Sequence, residues 1–332
     1  MPYSFILNHY FGDEPYALSE GASGYNNTTR YIDSRGERFV LRIYETHRDA
    51  AKIRFEHAVL MKLAELDLPF QSPRPVVDRD GASFLRLEDG RFACLFRYME
   101  GVRPNSRERG VAKAVGDTVG RLSRALSEIE LEQAPEYPPY YEMDLAHPSC
   151  GPDTIRRFCS QPPAEFADRG VQLQEVLAEL ERFRTFLPEL RRLPHQLVHG
   201  DINDSNLLAA FGNPERIRAV LDFEFCTNDL RAMEPAVVLS GMLEGEGSRE
   251  TIPAFLAGFS AVVRLTKPEA EAIPLLIRLR KLDVFVHFLG RYLDGVDGPA
   301  VLREQIEDAA QGLTELRRME DRLRNWCRAL SD

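Results

Sequence analysis

Residues 199–206 read His199-Gly-Asp-Ile-Asn-Asp-Ser-Asn206, and residues 221–224 read Leu221-Asp-Phe-Glu224. A short apolar run precedes each segment and leads into an aspartate, which predicts two short strands in an otherwise helical part of the chain. The island from Gln196 to Asp222 is therefore predicted to be an isolated β-hairpin that carries a cluster of polar side chains.

The polar residues of this island have the spacing that phosphoryl transfer to a hydroxyl needs. That chemistry uses a carboxylate beside the nucleophile and metal ligands that bridge the nucleotide phosphates. Asp201 suits the first role, and Asn206 and Asp222 suit the second, because hard cations prefer oxygen ligands. Solvated Asp and Asn residues that cap turns would show the same residue types. The Asp-x₄-Asn spacing, followed by a strand and a second aspartate, favours the catalytic interpretation.

The pattern along the whole chain predicts an α+β fold with two lobes. Residues 1–98 show strand signals and one helix, over Ala50–Leu66, and the apolar residues alternate within Arg38–Tyr44. Gly and Pro break the pattern at 99–105. The helices predicted beyond that point are 107–131, 171–192, 229–243, 251–264, 269–294 and 299–330. We therefore expect an N-terminal nucleotide-binding lobe at 1–98, a hinge at 99–105, and a C-terminal catalytic and substrate-binding lobe at 106–332.

The composition excludes several classes of function. The chain has 332 residues, 44% of them hydrophobic and 28% charged, with a net charge of −10, as in ordinary globular proteins. No Lys/Arg-rich block is present, so nucleic acid is not an expected partner, and no apolar run reaches membrane-spanning length. The five scattered cysteines favour reduced thiols over disulfides or zinc. The first residues lack the basic region of a signal peptide, and we expect a cytoplasmic protein.

These segments resemble the aminoglycoside phosphotransferase/choline kinase family, which has a two-lobed protein-kinase-like fold. The resemblance is sharpest at residues 199–229, and the run Val220–Arg231 is most similar to the type II homoserine-kinase-like branch. It implies an ATP- and Mg²⁺-dependent enzyme that moves the γ-phosphate of ATP to a hydroxyl of a small molecule. It also implies Asp201 as the catalytic base and Asn206 and Asp222 as magnesium ligands.

The family pattern places a basic residue on the third strand of the N-terminal lobe and a glutamate on the following helix. Arg42 and Glu56 fit these positions. Lysine is commoner than arginine at the first, but a guanidinium can also pair with phosphate oxygens. Glu56 lies within the apolar arc of its helix, where a carboxylate is rarely placed without a partner. A surface Arg42 and a boundary Glu56 are the alternative.

The remaining nucleotide contacts are predicted from short segments. Gly21, Ser23 and Gly24 belong to a small-residue loop that would cover the phosphates, and backbone groups in the segment with Phe96, Tyr98 and Met99 would bond the adenine. Small-residue turns are common, and an ordinary strand-to-linker transition is equally compatible with the second segment.

Several departures argue against a protein kinase of the eukaryotic type. Gly200 stands where such kinases have arginine, Glu224 follows Asp-Phe where they have glycine, and no Ala-Pro-Glu follows. Helix signals resume near Asp229, which leaves no room for a peptide-docking loop. Two alternatives remain open, a bacterial Ser/Thr protein kinase with the same core and an inactive nucleotide-binding module.

Residues that would support the loop or contact the acceptor come from the helical lobe. Glu224 would assist the metal or the substrate, or simply face solvent. Asp229 resembles the family acid that braces the catalytic loop, although a carboxylate near a helix N-terminus is also stabilised by the dipole. The candidates are His199, Asp204, Glu224, Asp229, His287 and Arg291, with Tyr141, Asp144 and Glu234 as further pocket residues. His287 and Arg291 lie in a strongly apolar stretch, so structural roles in the core are the alternative for them.

The identity of the acceptor is not fixed by these motifs. Homoserine is favoured by the branch resemblance, while choline, ethanolamine, sugars and aminoglycosides share the same motifs. The oligomeric state is not predicted.

Overall fold

The computed structural model describes residues 3–21, 27–45, 49–243 and 247–331. The elements of its N-terminal part are α1 (Tyr3–Phe11), β1 (Ala17–Glu20), β2 (Asn27–Ser34), β3 (Glu37–Tyr44), α2 (Ala50–Leu63), β4 (Pro75–Val76), β5 (Leu85–Arg86) and β6 (Phe92–Arg97). The strands form an antiparallel sheet with the order β1-β2-β3-β6-β4, and β5 also pairs with β6.

A two-residue turn fixes the register of β2 and β3. Ser34 pairs with Glu37, and the residues between them, Arg35 and Gly36, have φ of 55° and 74°. Two consecutive left-handed residues match the right-handed twist of a hairpin, and glycine takes the second position without strain.

The predicted alternation in β3 is confirmed, because its two faces enter different cores. Phe39, Leu41 and Ile43 pack in a cluster with Ile6 and Leu7 of α1, while Tyr44 joins the cluster that contains α2. Helix α1 itself was not predicted. It is only nine residues long, and helices of that length depend on packing against a neighbour rather than on their own propensity.

The C-terminal part is mainly helical, as predicted. Its elements are α3 (Arg109–Ser127), α4 (Pro152–Ser160), α5 (Gly170–Arg184), α6 (Leu187–Leu190), β7 (His195–Val198), β8 (Leu207–Ala210), β9 (Asn213–Val220), β10 (Thr227–Leu230), α7 (Met233–Met242), α8 (Ser248–Ser260), α9 (Lys267–Leu293) and α10 (Pro299–Cys327). Short 3₁₀ turns lie at Met143–Leu145, Ala164–Arg169, Asp204–Asn206 and Arg328–Leu330.

Two of the predicted helices are wrong in detail. The helix predicted at 171–192 is divided, because α5 ends at Arg184 and a separate turn with Pro188 follows. The helix predicted at 229–243 begins only at Met233, because Thr227–Leu230 pairs as a strand with β7. The other predicted helices agree with the structure to within a few residues at each end.

Helices α3 and α8 cross with their backbones in close contact. A Cβ added to Gly116 of α3 would lie 2.1 Å from the carbonyl oxygen of Phe255, and a Cβ added to Gly258 of α8 would lie 2.1 Å from that of Lys113. Only glycine permits this approach at both positions.

One large core runs from α2 and β6 into the C-terminal helices. All five cysteines are buried and none forms a disulfide. Among the described residues, none of the helices combines the length and apolar character needed to cross a membrane.

Two small antiparallel pairings position the 199–222 island. β7 pairs with β10, and β8 pairs with β9 with Leu207 opposite Val220. The segment 199–206 therefore links two paired strands, and Asp222 follows the end of β9. The two halves of the island meet where the N–H of Leu221 donates to the carbonyl oxygen of Asn206, at 2.8 Å.

Candidate active site

The loop after β7 holds Asp201 in a network of hydrogen bonds. Gly200 has a φ of 78° and turns the chain out of the strand. The amide Nδ2 of Asn206 donates to the backbone oxygen of Asp201 at 2.8 Å and to its Oδ2 at 3.0 Å. The side chain of Asn203 accepts a hydrogen bond from the N–H of Ser205 and so caps the 3₁₀ turn that ends at Asn206. The spacing of Asp201 and Asn206 thus brings the two side chains into direct contact.

Asp222 completes an oxygen-rich cluster. It is a non-glycine residue with a φ of 65°, a strained conformation of the kind that clusters at functional sites. Its Oδ1 is buried, accepts no hydrogen bond from any described residue, and lies 3.3 Å from Nη1 of Arg42. The amide nitrogen of Asn206 donates to Asp201, so the amide oxygen Oδ1 of Asn206 is the atom left for a cation. These donors fit a hard divalent ion.

Arg42 and Glu56 meet as predicted. Nη1 of Arg42 lies 3.2 Å from Oε1 of Glu56, and the hydroxyl of Tyr44 donates to Oε2 at 2.7 Å. The guanidinium also lies over the ring of Phe96, 5.3 Å from its centroid. The alternative of a surface Arg42 does not hold, since its side chain is only 15% exposed. Burial raises the pKa of Glu56, and the charge of Arg42 opposes that shift.

The other predicted nucleotide contacts stay predictions. Ser23 and Gly24 lie outside the described residues, and the N–H of Gly21 donates to the carbonyl oxygen of Thr29 at 3.3 Å. The N–H of Tyr98 donates to the carbonyl oxygen of Arg38 at 3.0 Å. The N–H of Tyr98 is therefore already used within the sheet.

The acid that braces the predicted catalytic loop is Glu234 rather than Asp229. Its carboxylate accepts the N–H groups of His199, at 2.7 Å, and Gly200, at 3.4 Å. Burial raises the pKa of Glu234 to about 7, and the two amide donors oppose that shift. Glu234 is fully buried and therefore not a pocket residue. His199 supports the same loop, since its Nε2 contacts the carbonyl oxygen of Leu221 at 2.8 Å.

Asp229 instead anchors a neighbouring segment. It is fully buried on β10 and accepts the N–H of Tyr140 at 2.6 Å and that of Leu230 at 2.6 Å. Burial raises its pKa to about 7. Tyr140 in turn donates its hydroxyl to the carbonyl oxygen of Gly200 at 2.7 Å. Asp229 thus reaches the loop indirectly, through Tyr140.

A cavity of about 360 Å³ opens in front of Asp201, between the 137–140 segment and α9. The described residues that line it include four acidic side chains, one arginine and one histidine. These are Asp201, Asp222, Glu224, Asp283, Arg280 and His287. Glu224 accepts a hydrogen bond from Nδ2 of Asn27 at 2.9 Å, across the sheet-to-helix boundary. Two of the candidate residues, Glu224 and His287, thus line this cavity, and their roles there stay predictions.

Four predicted pocket residues lie elsewhere. Arg291 is one helical turn beyond His287, but the chain turns after α9 and Asp297 pairs with its guanidinium at 2.5 Å. Asp204 accepts from the N–H and hydroxyl of Ser106, both at 3.0 Å, and lines a separate cavity of about 340 Å³. Tyr141 pairs with His195 and Asp144 with Arg184.

Arg280 and Asp283 are two site residues that were not predicted from the sequence. Nη2 of Arg280 lies 2.6 Å from Oδ1 of Asp201, and Asp283 lies one turn further along α9. Burial raises the pKa of Asp283 to about 6, against the charge of Arg280. The signal was present, because residues 280, 283 and 287 fall on one face of a helix that is otherwise largely apolar.

The fold and the cluster around Asp201 together define a kinase-type phosphotransferase. The family model described as "Phosphotransferase enzyme family" matches residues 18–273, and the chain belongs to this family. The predicted resemblance, fold class and enzyme class, a kinase with an alcohol acceptor, are confirmed at this level.

Relatives and solved structures agree with this assignment. The chain is 26% identical over 284 residues to a homoserine kinase of Hyphomonas neptunium, covering 82% of this chain and 80% of the relative. A homoserine kinase of Sinorhizobium fredii is 27% identical, with 89% and 85% covered. A microcompartment-associated aminopropanol kinase superposes with a TM-score of 0.71 at 18% identity, covering 96% and 97%. The amicoumacin kinase hAmiN gives 0.67 at 16%, covering 94% of both chains. The two structures establish the shared fold.

Proposed function

We propose that the protein transfers the γ-phosphate of ATP to the hydroxyl of a small amino alcohol, with a homoserine-like acceptor favoured. The convergence of Asp201, Asn206 and Asp222 on the lining of one acidic cavity carries this proposal. The cavity volume of about 360 Å³ is near the lower end of ligand pockets and suits a small acceptor. Glu224 and Asp283 suit an ammonium group, and the relatives named above are homoserine kinases.

In this mechanism Asp201 orients the acceptor hydroxyl and takes its proton. The hydroxyl oxygen then forms a bond to the γ-phosphorus while the bond to the leaving ADP breaks. Burial raises the pKa of Asp201, and the charge of Arg280 opposes that shift. A higher pKa makes a carboxylate a better base near neutral pH. Arg42, oriented by Glu56 and Tyr44, would contact the nucleotide phosphates.

Asn206 and Asp222 would hold a divalent cation, proposed to be Mg²⁺. When bound, such an ion neutralises charge on the phosphates. The amicoumacin kinase was solved with AMP-PNP and Ca²⁺, which supports the proposed use of a nucleotide and a divalent ion here.

A small acceptor is favoured over a protein acceptor by the segment after Asp222. The chain enters β10 at Thr227 and α7 at Met233, so no long peptide-docking loop follows the metal-binding position. The buried, unpaired cysteines suit the proposed cytoplasmic location.

The test is ATP consumption with Mg²⁺ and a panel of L-homoserine, 3-aminopropan-1-ol, ethanolamine, choline and an aminoglycoside. We expect an amino alcohol to stimulate turnover, with the phosphorylated product identified by mass spectrometry. Asp201→Asn should lower kcat by about 10²-fold or more, because it removes the general base. Equal turnover by wild type and Asp201→Asn, or labelling of a protein acceptor alone, would overturn the proposal.

A further inference from the structure

Arg280 forms a salt bridge with Asp201, the predicted catalytic base. Its Nη2 lies 2.6 Å from Oδ1 of Asp201, and its guanidinium lies over the ring of Tyr140 at 5.5 Å. Nη1 lies 3.4 Å from the hydroxyl of Tyr140 and 3.5 Å from Asp283. An aspartate held in a charge-assisted hydrogen bond has that oxygen occupied and is less available to accept a proton from a substrate.

The surroundings of Arg280 show what could replace Asp201 as its partner. Among the described residues that line the 360 Å³ cavity, Arg280 carries the one permanent positive charge, and it also lines the 340 Å³ cavity on the other side of Asp201. A guanidinium pairs with carboxylates through two parallel hydrogen bonds, which makes it selective for such planar anions. A carboxylate entering the cavity would find its counter-ion there.

We propose that Arg280 binds a carboxylate of the acceptor, and that this binding releases Asp201 to act as the base. The acceptor is then a hydroxy amino acid, with its carboxylate on Arg280, its ammonium near Asp283 and its hydroxyl at Asp201. This inference rests on the proposed function and narrows its substrate class. A neutral or purely cationic alcohol leaves Arg280 on Asp201 and is a poorer substrate.

A comparison of two acceptors measures the contribution of the carboxylate. L-Homoserine and 3-aminopropan-1-ol differ only in that group, so the ratio of their kcat/KM values measures its contribution. We expect wild type to favour L-homoserine by about 10-fold to 100-fold, as the loss of a hydrogen bond to a charged group predicts. Arg280→Gln should remove this preference, mainly by raising KM for L-homoserine.

Two further variants separate binding from folding. Arg280→Lys keeps the charge but loses the fork, so part of the preference should return. Lys281→Gln is the matched control, because Lys281 is on the same helix and its side chain lies against Gly312 of α10, away from the cavity. It should leave the ratio as in wild type. Calorimetric titration of each amino alcohol into the protein with AMP-PNP and Mg²⁺ gives a readout independent of turnover, and only L-homoserine should lose affinity in Arg280→Gln.

The possible results distinguish a failure of the carboxylate site from a failure of the proposed function. Equal use of both acceptors by wild type would overturn the carboxylate site, and so would an equal loss for both acceptors in a folded Arg280→Gln or Arg280→Lys protein. In both cases amino-alcohol phosphorylation persists in wild type, so the proposed function survives. A wild type that phosphorylates none of the panel would instead refute the proposed function itself.

Discussion

Glu234 is a buried acid whose bonding partners are backbone amides of the loop that carries Asp201. Its pKa of about 7 lies above the ordinary value of 4.5, because burial penalises the charged form more than the two N–H donors favour it. The folded protein therefore keeps a proton that the unfolded chain releases as pH rises. The stability that this group contributes is fully present below pH 4.5 and is lost as pH rises to 7.

We predict that Glu234→Gln removes this pH dependence. Relative to the variant, wild type should lose about 3 kcal/mol of unfolding free energy between pH 4.5 and 7.5, at about 1.4 kcal/mol per pKa unit. The measurement is urea unfolding of both proteins across this range. A stability difference that stays constant with pH would contradict the prediction.

The close crossing of α3 and α8 allows the stability change of a glycine substitution to be predicted. Gly116→Ala should destabilise the protein by about 1–3 kcal/mol, because the new methyl group overlaps the carbonyl of Phe255. The usual gain from replacing a helical glycine by alanine, about 1 kcal/mol, is not enough to offset it. Urea unfolding gives the difference.

Gly170→Ala provides the control for this crossing. Gly170 has helical φ and ψ at the start of α5, and a Cβ added there meets none of the described residues within 4 Å. This variant should be as stable as wild type or slightly more so. Similar destabilisation by both substitutions would show that the close contact is not the cause.

How far the sequence predicts the elements depends on whether the decisive contacts are local. The strand β3 and the Asp201–Asn206 loop follow from alternation and spacing within a few residues. Helix α1 could not be inferred, because its apolar side chains become stable only against a sheet that forms elsewhere in the chain. Arg280 was missed for a related reason, since it meets Asp201 across 79 positions of sequence. A charged residue in a largely apolar helix can equally face solvent or pair with an acid one turn away on the same helix.

Contacts of Arg42 and Asn27 join the sheet to the helical part across the predicted nucleotide site, and they lead to a prediction for the whole molecule. Arg42 lies 3.3 Å from Asp222, and Asn27 lies 2.9 Å from Glu224. AMP-PNP with Mg²⁺ should raise the unfolding midpoint of wild type. At 100-fold excess over Kd the added free energy is about 2.7 kcal/mol.

Asp222→Asn should abolish the metal-dependent part of this effect, defined as the difference between midpoints in Mg²⁺ and in EDTA. Asparagine tolerates the positive φ of this position, so the turn is retained while the charge is lost. Glu65→Gln, an exposed partner of Lys62, is the control and should behave as wild type. An unchanged metal-dependent midpoint in Asp222→Asn would remove this residue from the cation site.

The burial of every native thiol makes the molecule a clean background for site-specific labelling. Burial raises the pKa of Cys150, Cys159 and Cys327 to about 12, so these side chains stay as unreactive thiols at neutral pH. Two cysteines could be introduced at Arg35, in the exposed β2–β3 turn, and at Val171, which is 82% exposed on α5. Only these two introduced thiols would then react with a pair of fluorophores. Energy transfer between them would report the separation of the sheet from the helical part as nucleotide and acceptor are added.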